Sequence, residues 1–241
     1  MKAYFFISDV HLGAHAANTD IREKELMALL DCVEQEGDGL FIVGDLFDFW
    51  FEYQYVIPKH HFDLLCRLKQ LIERGIEIHY LVGNHDFWLG SFFKETLGIQ
   101  LHLDTYATTL NGKQVYLTHG DGIAKNDRGY RILKRILRNP FNIKLFNLLH
   151  PDIGFKLAGQ SSHISRTYRD VPDHDSDYIE FAKQRFKEGH DVVVIGHTHR
   201  PIRIEENGSV YINTGDWITH FTYGKMTGNQ ITLEHWSTIS V

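Results

Sequence analysis

The stretch Gly39–Asp48, GLFIVGDLFD, restricts this chain more than any other. Leu40, Phe41, Ile42 and Val43 form a short apolar, partly β-branched run of the kind a fully buried strand requires. Gly44 ends the run, and Asp45 follows where the backbone must leave the sheet. A carboxylate there sits on a rigid element yet opens into the crevice at the carboxyl edge of an α/β sheet. A lone Gly-Asp has an ordinary use as the cap of a following helix. Here the pattern recurs. Ala3–Ser8 runs into Asp9-Val10-His11, and Glu77–Val82 into Gly83-Asn84-His85-Asp86. Gln114–Thr118 delivers His119-Gly120-Asp121, and Asp191–Ile195 delivers Gly196-His197-Thr198-His199. Five such coincidences point to chemistry gathered at one end of one sheet.

Between the early runs the spacing becomes helical. Asp20 with Glu23 three residues on marks a helix start. Leu26, Leu29, Leu30 and Val33 then keep one face apolar up to Gly37. His60–Arg74 is expected as a second helix, with Phe62, Leu65, Leu68 and Ile72 inward and Gly75 closing it. The order β-α-β-α-β implies an α/β fold with largely parallel pairing. The second half differs. Tyr106–Leu110, the turn Asn111-Gly112 and Gln114–Thr118 predict a hairpin. A helical stretch runs from about Ala124 to Asp170, and short strands are expected around Arg203–Glu205, Ser209–Asn213 and Gln230–His235. No linker divides the 241 residues, so a single domain over 1–241 with a helical insertion at about 124–170 is expected.

Composition narrows the class. With 43% hydrophobic and 23% charged residues the chain suits a soluble globular protein, and a formal charge of −6 argues against a general nucleic-acid binder. Cys32 and Cys66 fall in expected helices and read as buried small hydrophobes, not a disulfide, which fits a reducing compartment. The opening residues lack a secretory leader pattern, and no run approaches the roughly 18 apolar residues of a membrane span. A cytoplasmic protein is expected.

The candidate ligands are carboxylate, imidazole and amide oxygen, with no thiolate. Such a set suits a first-row divalent ion such as Mn²⁺, Fe²⁺ or Zn²⁺. Asp-x-His and His-x-His would put two side chains on the same side of an extended segment. The total exceeds what one open ion needs and matches two ions sharing a carboxylate.

In order, DVHLG at Asp9–Gly13, GDLFD at Gly44–Asp48, GNHD at Gly83–Asp86, HGD at His119–Asp121 and GHTHRP at Gly196–Pro201 resemble the five motif blocks of the calcineurin-like metallophosphoesterase superfamily. The resemblance implies a four-layer α-β-β-α sandwich with a helical insertion acting as a lid, and a two-metal site at its rim. By the same resemblance Asp9, His11 and His199 would hold one ion, Asn84, His119 and His197 the other, and Asp45 would bridge them. Two divalent ions against two carboxylates leave the cluster positive, able to bind a phosphate oxygen and activate water. His85 would stabilise the transition state or protonate the leaving group, so that His85, Asp45 and Asn84 form the catalytic set.

The insertion carries the substrate information. Residues 124–170 hold ten Lys or Arg against three Asp, although the whole chain is acidic. Arg131, Lys134, Arg135 and Arg138 form a basic stripe at helical spacing among Leu133, Ile136 and Leu137, and Phe141, Ile143, Leu145, Phe146, Leu148 and Leu149 follow. A basic, strongly apolar helix pair reads as a membrane-surface or lipid-facing segment. The chain is similar to the branch of the superfamily that splits the diphosphate of a UDP-linked diacylated glucosamine in lipid A biosynthesis, usually with Mn²⁺. This resemblance implies that the segment is peripheral on the cytoplasmic face of the inner membrane. That similarity makes a nucleotide-linked acylated sugar the expected substrate, with contacts from Asn84, Asp127, Tyr130, Ser162 and Arg166. Two positions depart from the branch: His85 stands where its best-known members carry arginine, and Asp216 stands where a small residue is expected. The alternatives are a metallophosphoesterase acting on another nucleotide or lipid phosphodiester, and a non-catalytic scaffold of the same fold.

Overall fold

The computed structural model describes residues 3–13, 19–125, 128–157 and 175–237. In the first sheet β1 (Ala3–Ile7), β2 (Gly39–Val43), β3 (Glu77–Leu81) and β4 (Gln100–His102) run parallel. The second sheet begins with the hairpin β5 (Thr105–Leu110) and β6 (Lys113–Thr118). It continues with β7 (Val192–Ile195), β8 (Pro201–Glu206) and β9 (Ser209–Thr214), in the order β5-β6-β7-β9-β8. The chain then returns to the first sheet, where β10 (Thr222–Thr227) pairs antiparallel with β1 and carries β11 (Gln230–His235) on its outer edge. The helices are α1 (Thr19–Glu36), α2 (Phe62–Glu73), α3 (Arg128–Leu137), α4 (Pro140–Phe146), α5 (residues 151–157) and α6 (Asp175–Lys187).

Side-chain alternation decides the layering. Phe5, Ile7, Leu40, Ile42, Ile78 and Tyr80 turn to one face of the first sheet, where α1 supplies Leu26, Leu29, Leu30 and Val33 and α2 supplies Leu64, Leu65, Leu68 and Leu71. Their neighbours Tyr4, Phe6, Phe41, Val43 and Leu81 turn the other way and pack against Val115, Leu117, Val192, Val194 and Ile212 of the second sheet. That sheet's far face, with Val193, Ile195 and Tyr211, is covered by Tyr178 and Ala182 of α6. The four layers α-β-β-α follow, as the motif blocks imply.

Several local expectations change. Phe62 is exposed because α2 starts there, directly after a 3₁₀ turn over Lys59–His61, while Leu64 and Leu71 take the inward places. Both cysteines are free but only half-buried. The five motif-bearing strand ends come from two sheets, not one. Three elements escape the periodicity reading. α6 buries only Tyr178 and Ala182, so its apolar stripe is thin. β4 has three residues. β10, TYGKMT, has Gly224 and Lys225 at its centre, yet Gly224 is where the Phe6 side chain meets the backbone. Within the insertion, residues 128–137, 140–146 and 151–157 are helical as expected, and the stretch 158–170 lies outside the described residues.

Candidate metal centre

Parallel pairing places the carboxyl ends of β1, β2 and β3 on one edge, and those of β6, β7 and β9 on the adjoining edge of the second sheet. The chain turns sharply as it leaves these strands. Asp9, His11, Asp45, His197 and His199 all have left-handed backbones, with φ of 52°, 49°, 53°, 68° and 60°. The expected extended geometry of Asp-x-His and His-x-His is therefore replaced by tight turns. Each such residue costs on the order of 1 kcal/mol, and clustering of this strain is typical of sites that the surroundings over-determine.

The glycines before the ligands mark how closely the strand ends approach. Gly44 has φ of 87°, and a Cβ there would collide with the His119 ring. A Cβ on Gly83 would run into the Asp45 carboxylate, and one on Gly196 would lie 2.7 Å from Asp9 Oδ2. Any side chain at these positions would push the ligands apart.

All seven residues expected to hold metal meet here, in two groups. In one, His199 Nε2 lies 3.3 Å from Asp9 Oδ1 and 3.3 Å from His11 Nε2. In the other, Asn84 Oδ1 lies 3.0 Å from His119 Nε2 and 2.9 Å from His197 Nδ1. Asp45 Oδ2 stands between them, 3.7 Å from His11 Nε2 and 3.3 Å from His119 Nε2. Each carboxylate has one oxygen occupied by the protein. Asp9 Oδ2 accepts from Ser8 Oγ at 2.5 Å and from the His197 amide at 2.8 Å, and Asp45 Oδ1 accepts from the His85 amide at 2.9 Å. Asp9 Oδ1 and Asp45 Oδ2 are buried and accept no hydrogen bond. Buried anionic oxygens aimed at a cluster of imidazole nitrogens fit divalent cations.

The electrostatics agree. Burial disfavours charge on His119, but the charges of Asp45, 3.3 Å away, and of Asp9 outweigh burial and push the imidazole up to about 10. Burial alone would raise Asp9 and Asp45. The histidines nearby, led by His199 for Asp9 and His119 for Asp45, hold both carboxyls well below the usual range. The centre demands positive charge. His119 Nδ1–H donates to the Val43 carbonyl at 2.9 Å, which leaves Nε2 directed at Asn84 and Asp45.

Three further carboxylates orient the ligands, and only one drew attention in the sequence. Asp86 is fully buried and accepts from the amides of Gly83 (2.9 Å), Asp45 (3.3 Å) and Phe47 (3.3 Å) and from the Tyr80 hydroxyl. Burial, then repulsion from Asp45, pushes its carboxyl up to about 6. Asp48 Oδ1 lies 3.5 Å from His11 Nδ1, and its carbonyl accepts from His85 Nδ1 at 3.1 Å. Asp216 lies just past β9, a sixth strand end at the rim, and its Oδ2 lies 3.4 Å from His199 Nδ1. Its other oxygen accepts from the amides of Ile218, Thr219 and His220. Burial opposes its charge, but His199 and these amides bring its carboxyl down to about 2. The unexpected aspartate is thus a support for His199. GNHD and GDLFD contain Asp86 and Asp48 in plain sight, but nothing in the spacing separates a supporting carboxylate from a ligand.

Of the expected substrate contacts, Asn84 lies in the centre and Tyr130 donates to Asp121 Oδ2 at 2.8 Å. Asp127, Ser162 and Arg166 lie outside the described residues. The basic stripe does not face outward as a membrane-surface helix would. Arg131 donates to the carbonyls of Gly122 and Ala124, both at 3.0 Å, Lys134 pairs with Asp121 at 2.8 Å, and Arg138 reaches the carbonyls of Gly83 and Leu103, both at 3.2 Å. Arg135 alone of the four is exposed. The face of α3 turned to solvent is apolar, with Ile132, Leu133 and Ile136 exposed, and Phe141, Leu145, Leu148, Ile153 and Leu157 extend it. Beneath these helices, Phe146 packs on Phe51 and Trp88, with ring centroids 4.7 and 4.9 Å apart, and Phe155 packs on Phe49 at 5.3 Å. No helix among the described residues is long and apolar enough to cross a membrane.

Comparison with known proteins agrees with this geometry. The family model for calcineurin-like phosphoesterases matches residues 4–201. A UDP-2,3-diacylglucosamine hydrolase of Porphyromonas gingivalis is 32% identical over 95% of this chain and 96% of its own length. One from Pseudomonas syringae pv. syringae is 34% identical over 88% of this chain and 86% of its own. Among solved structures, the phosphoesterase Yfce of E. coli aligns with a TM-score of 0.48 at 15% identity, over 99% of this chain and 97% of that one. With the motif blocks, the rim geometry and the family match in agreement, this chain belongs to the calcineurin-like phosphoesterase family and is a metal-dependent phosphoesterase.

Proposed function

We propose that the enzyme hydrolyses the diphosphate bond of UDP-2,3-diacylglucosamine, releasing UMP and 2,3-diacylglucosamine 1-phosphate for lipid A biosynthesis. The observation that carries this reading is the near full-length similarity to hydrolases named for that substrate. The chain would act as one domain over 1–241, with the helical insertion at 124–170 as its lid.

In this reading Asp9, His11 and His199 would hold one ion and Asn84, His119 and His197 the other, with Asp45 shared by both groups. When bound, two divalent ions, with Mn²⁺ the expected metal, neutralise the diphosphate and lower the pKa of a water. The chain's own residues do the rest. Asp48 holds His85 through Nδ1 and so reserves Nε2 for proton transfer to the leaving oxygen. The buried supports Asp86 and Asp216 keep the ligands in place, so little reorganisation is needed during the reaction. Asp127, Tyr130, Ser162 and Arg166 would contact the nucleotide-linked sugar. The exposed apolar side chains of α3 to α5 would receive its acyl chains and rest on the cytoplasmic face of the inner membrane, which supports a cytoplasmic, peripheral location.

His85 favours a second reading, hydrolysis of another nucleotide or lipid phosphodiester, because the best-known diacylglucosamine hydrolases carry arginine there. A scaffold without activity would not need seven converging ligands. Mn²⁺-dependent release of UMP from UDP-2,3-diacylglucosamine, measured beside a soluble bis-aryl phosphate, decides between the readings. Turnover of the lipid substrate establishes the first, and turnover of the soluble ester alone establishes the second.

A further inference from the structure

The turn that carries Asp9 and His11 has its amide groups and its carbonyl groups satisfied by different parts of the molecule. On the donor side, the amides of Asp9, His11 and Leu12 reach the carbonyls of Gly44, Asp45 and Leu46 at 3.1, 3.0 and 2.9 Å. On the acceptor side stands Arg22, a residue of α1 that is only 1% exposed. Its Nη1 donates to the carbonyls of Val10 and His11 at 2.9 and 2.8 Å. Its Nη2 reaches Thr19 Oγ1 at 3.3 Å, and that hydroxyl donates to the Gly13 carbonyl at 2.8 Å. Two left-handed residues flanking Val10 turn these carbonyls toward α1, and buried carbonyls need donors.

A guanidinium suits this task for a specific reason. Its planar fork can meet two carbonyls and a hydroxyl at once, whereas an ammonium is a point charge on a flexible stem. It also carries a cost, because a fixed positive charge behind a cation site repels the cation. Asp216 offsets that cost: its charge acts on Arg22, and its carboxylate lies 3.4 Å from His199 Nδ1. Arg22 and Asp216 therefore stand behind two residues of one ligand group, His11 and His199, and behind the Val10 peptide that joins Asp9 to His11.

We propose that Arg22 is a positioning residue, a clamp on the Val10 and His11 carbonyls that holds the left-handed turn and so aims Asp9 and His11 at one shared divalent cation. The inference rests on the two-ion reading above but not on the identity of the substrate. It differs from a general packing role in what it predicts for the metal.

Chelator-stripped full-length protein is titrated with Mn²⁺ and bound metal is counted, for the parent, Arg22→Met and Arg22→Lys. With the clamp removed, one of the two ions binds at least about tenfold more weakly while the other is retained. Excess Mn²⁺ then restores hydrolysis of a soluble bis-aryl phosphate with an unchanged KM, and Arg22→Lys recovers only part of the loss. Two ions bound as tightly as in the parent by a folded variant would overturn the proposal, whatever happens to Tm. Should Arg22→Met fail to fold, Arg22→Lys, which keeps the charge and most of the volume, decides by the same metal count. Parent protein that binds a single ion would refute the two-ion reading, and the clamp is then judged by whether that ion weakens.

Discussion

The rim and the helical insertion both turn charged side chains inward, but to different ends. At the rim, charged side chains are buried, backbones are strained, and each of Asp9 and Asp45 gives one carboxylate oxygen to protein donors and turns the other toward the histidines. On α3 the basic side chains also turn inward, but to bind loop carbonyls and Asp121, and the helix leaves its apolar residues in solvent. α3 is an amphipathic helix worn inside out. Its polar face grips the very loops that carry Asn84 and His119, so its hold on the body and the geometry of the centre are linked. The contrast teaches that the rim concentrates fixed charge, while the outer surface of α3 to α5 presents apolar side chains to solvent.

The largest expected effect breaks the rim. Asp45→Ala removes the oxygen shared by both ligand groups, so activity should fall by 10³-fold or more and the metal content should drop with it. Two ions per chain in this variant would refute the bridging assignment. The next tests the outer face of α3. Replacing Ile132, Leu133 and Ile136 together with Gln should cost roughly tenfold or more in kcat/KM for the acylated substrate, at about 25 cal/mol per Å² of lost apolar contact. The same variant should leave a soluble ester unaffected and Tm little changed. Equal losses on both substrates would mean that the face serves folding, not ligand.

Smaller effects probe the link between the regions. Lys134→Met strips Asp121, which is nearly buried, of its ion-pair partner and should cost about 1–3 kcal/mol by denaturant unfolding. Unchanged stability would show that Tyr130 suffices for Asp121. Acid should act on buried histidines away from the rim. Burial, helped by the charge of His60, brings His61 down to about 4, and burial with the charge of His79 does the same for His102. The folded state binds fewer protons than the unfolded one between these values and the ordinary 6.5. Stability should therefore be full above about pH 6.5 and fall as pH drops toward 4, by at most about 1.4 kcal/mol per pH unit from His61. A His61→Phe variant should flatten that slope.

Much of this was legible in one dimension. Buried strands announced themselves as apolar runs, and Gly44, Gly83 and Gly196 marked where no side chain fits between converging ligands. The oxygen and imidazole donor set already implied a divalent cation. These are local properties: burial, turn chemistry and ligand type are written in each short segment. Only the tertiary structure decided that the strand ends belong to two sheets, that Asp9 and His11 sit on a left-handed turn, and that Asp48, Asp86, Asp216 and Arg22 stand behind the ligands. It also decided which face of α3 looks outward. Helical periodicity states that two faces differ, but which one is buried depends on the partner across the gap, and here that partner is the Asp121 carboxylate together with loop carbonyls at Gly122 and Ala124 nearby and at Gly83 and Leu103 far away in sequence.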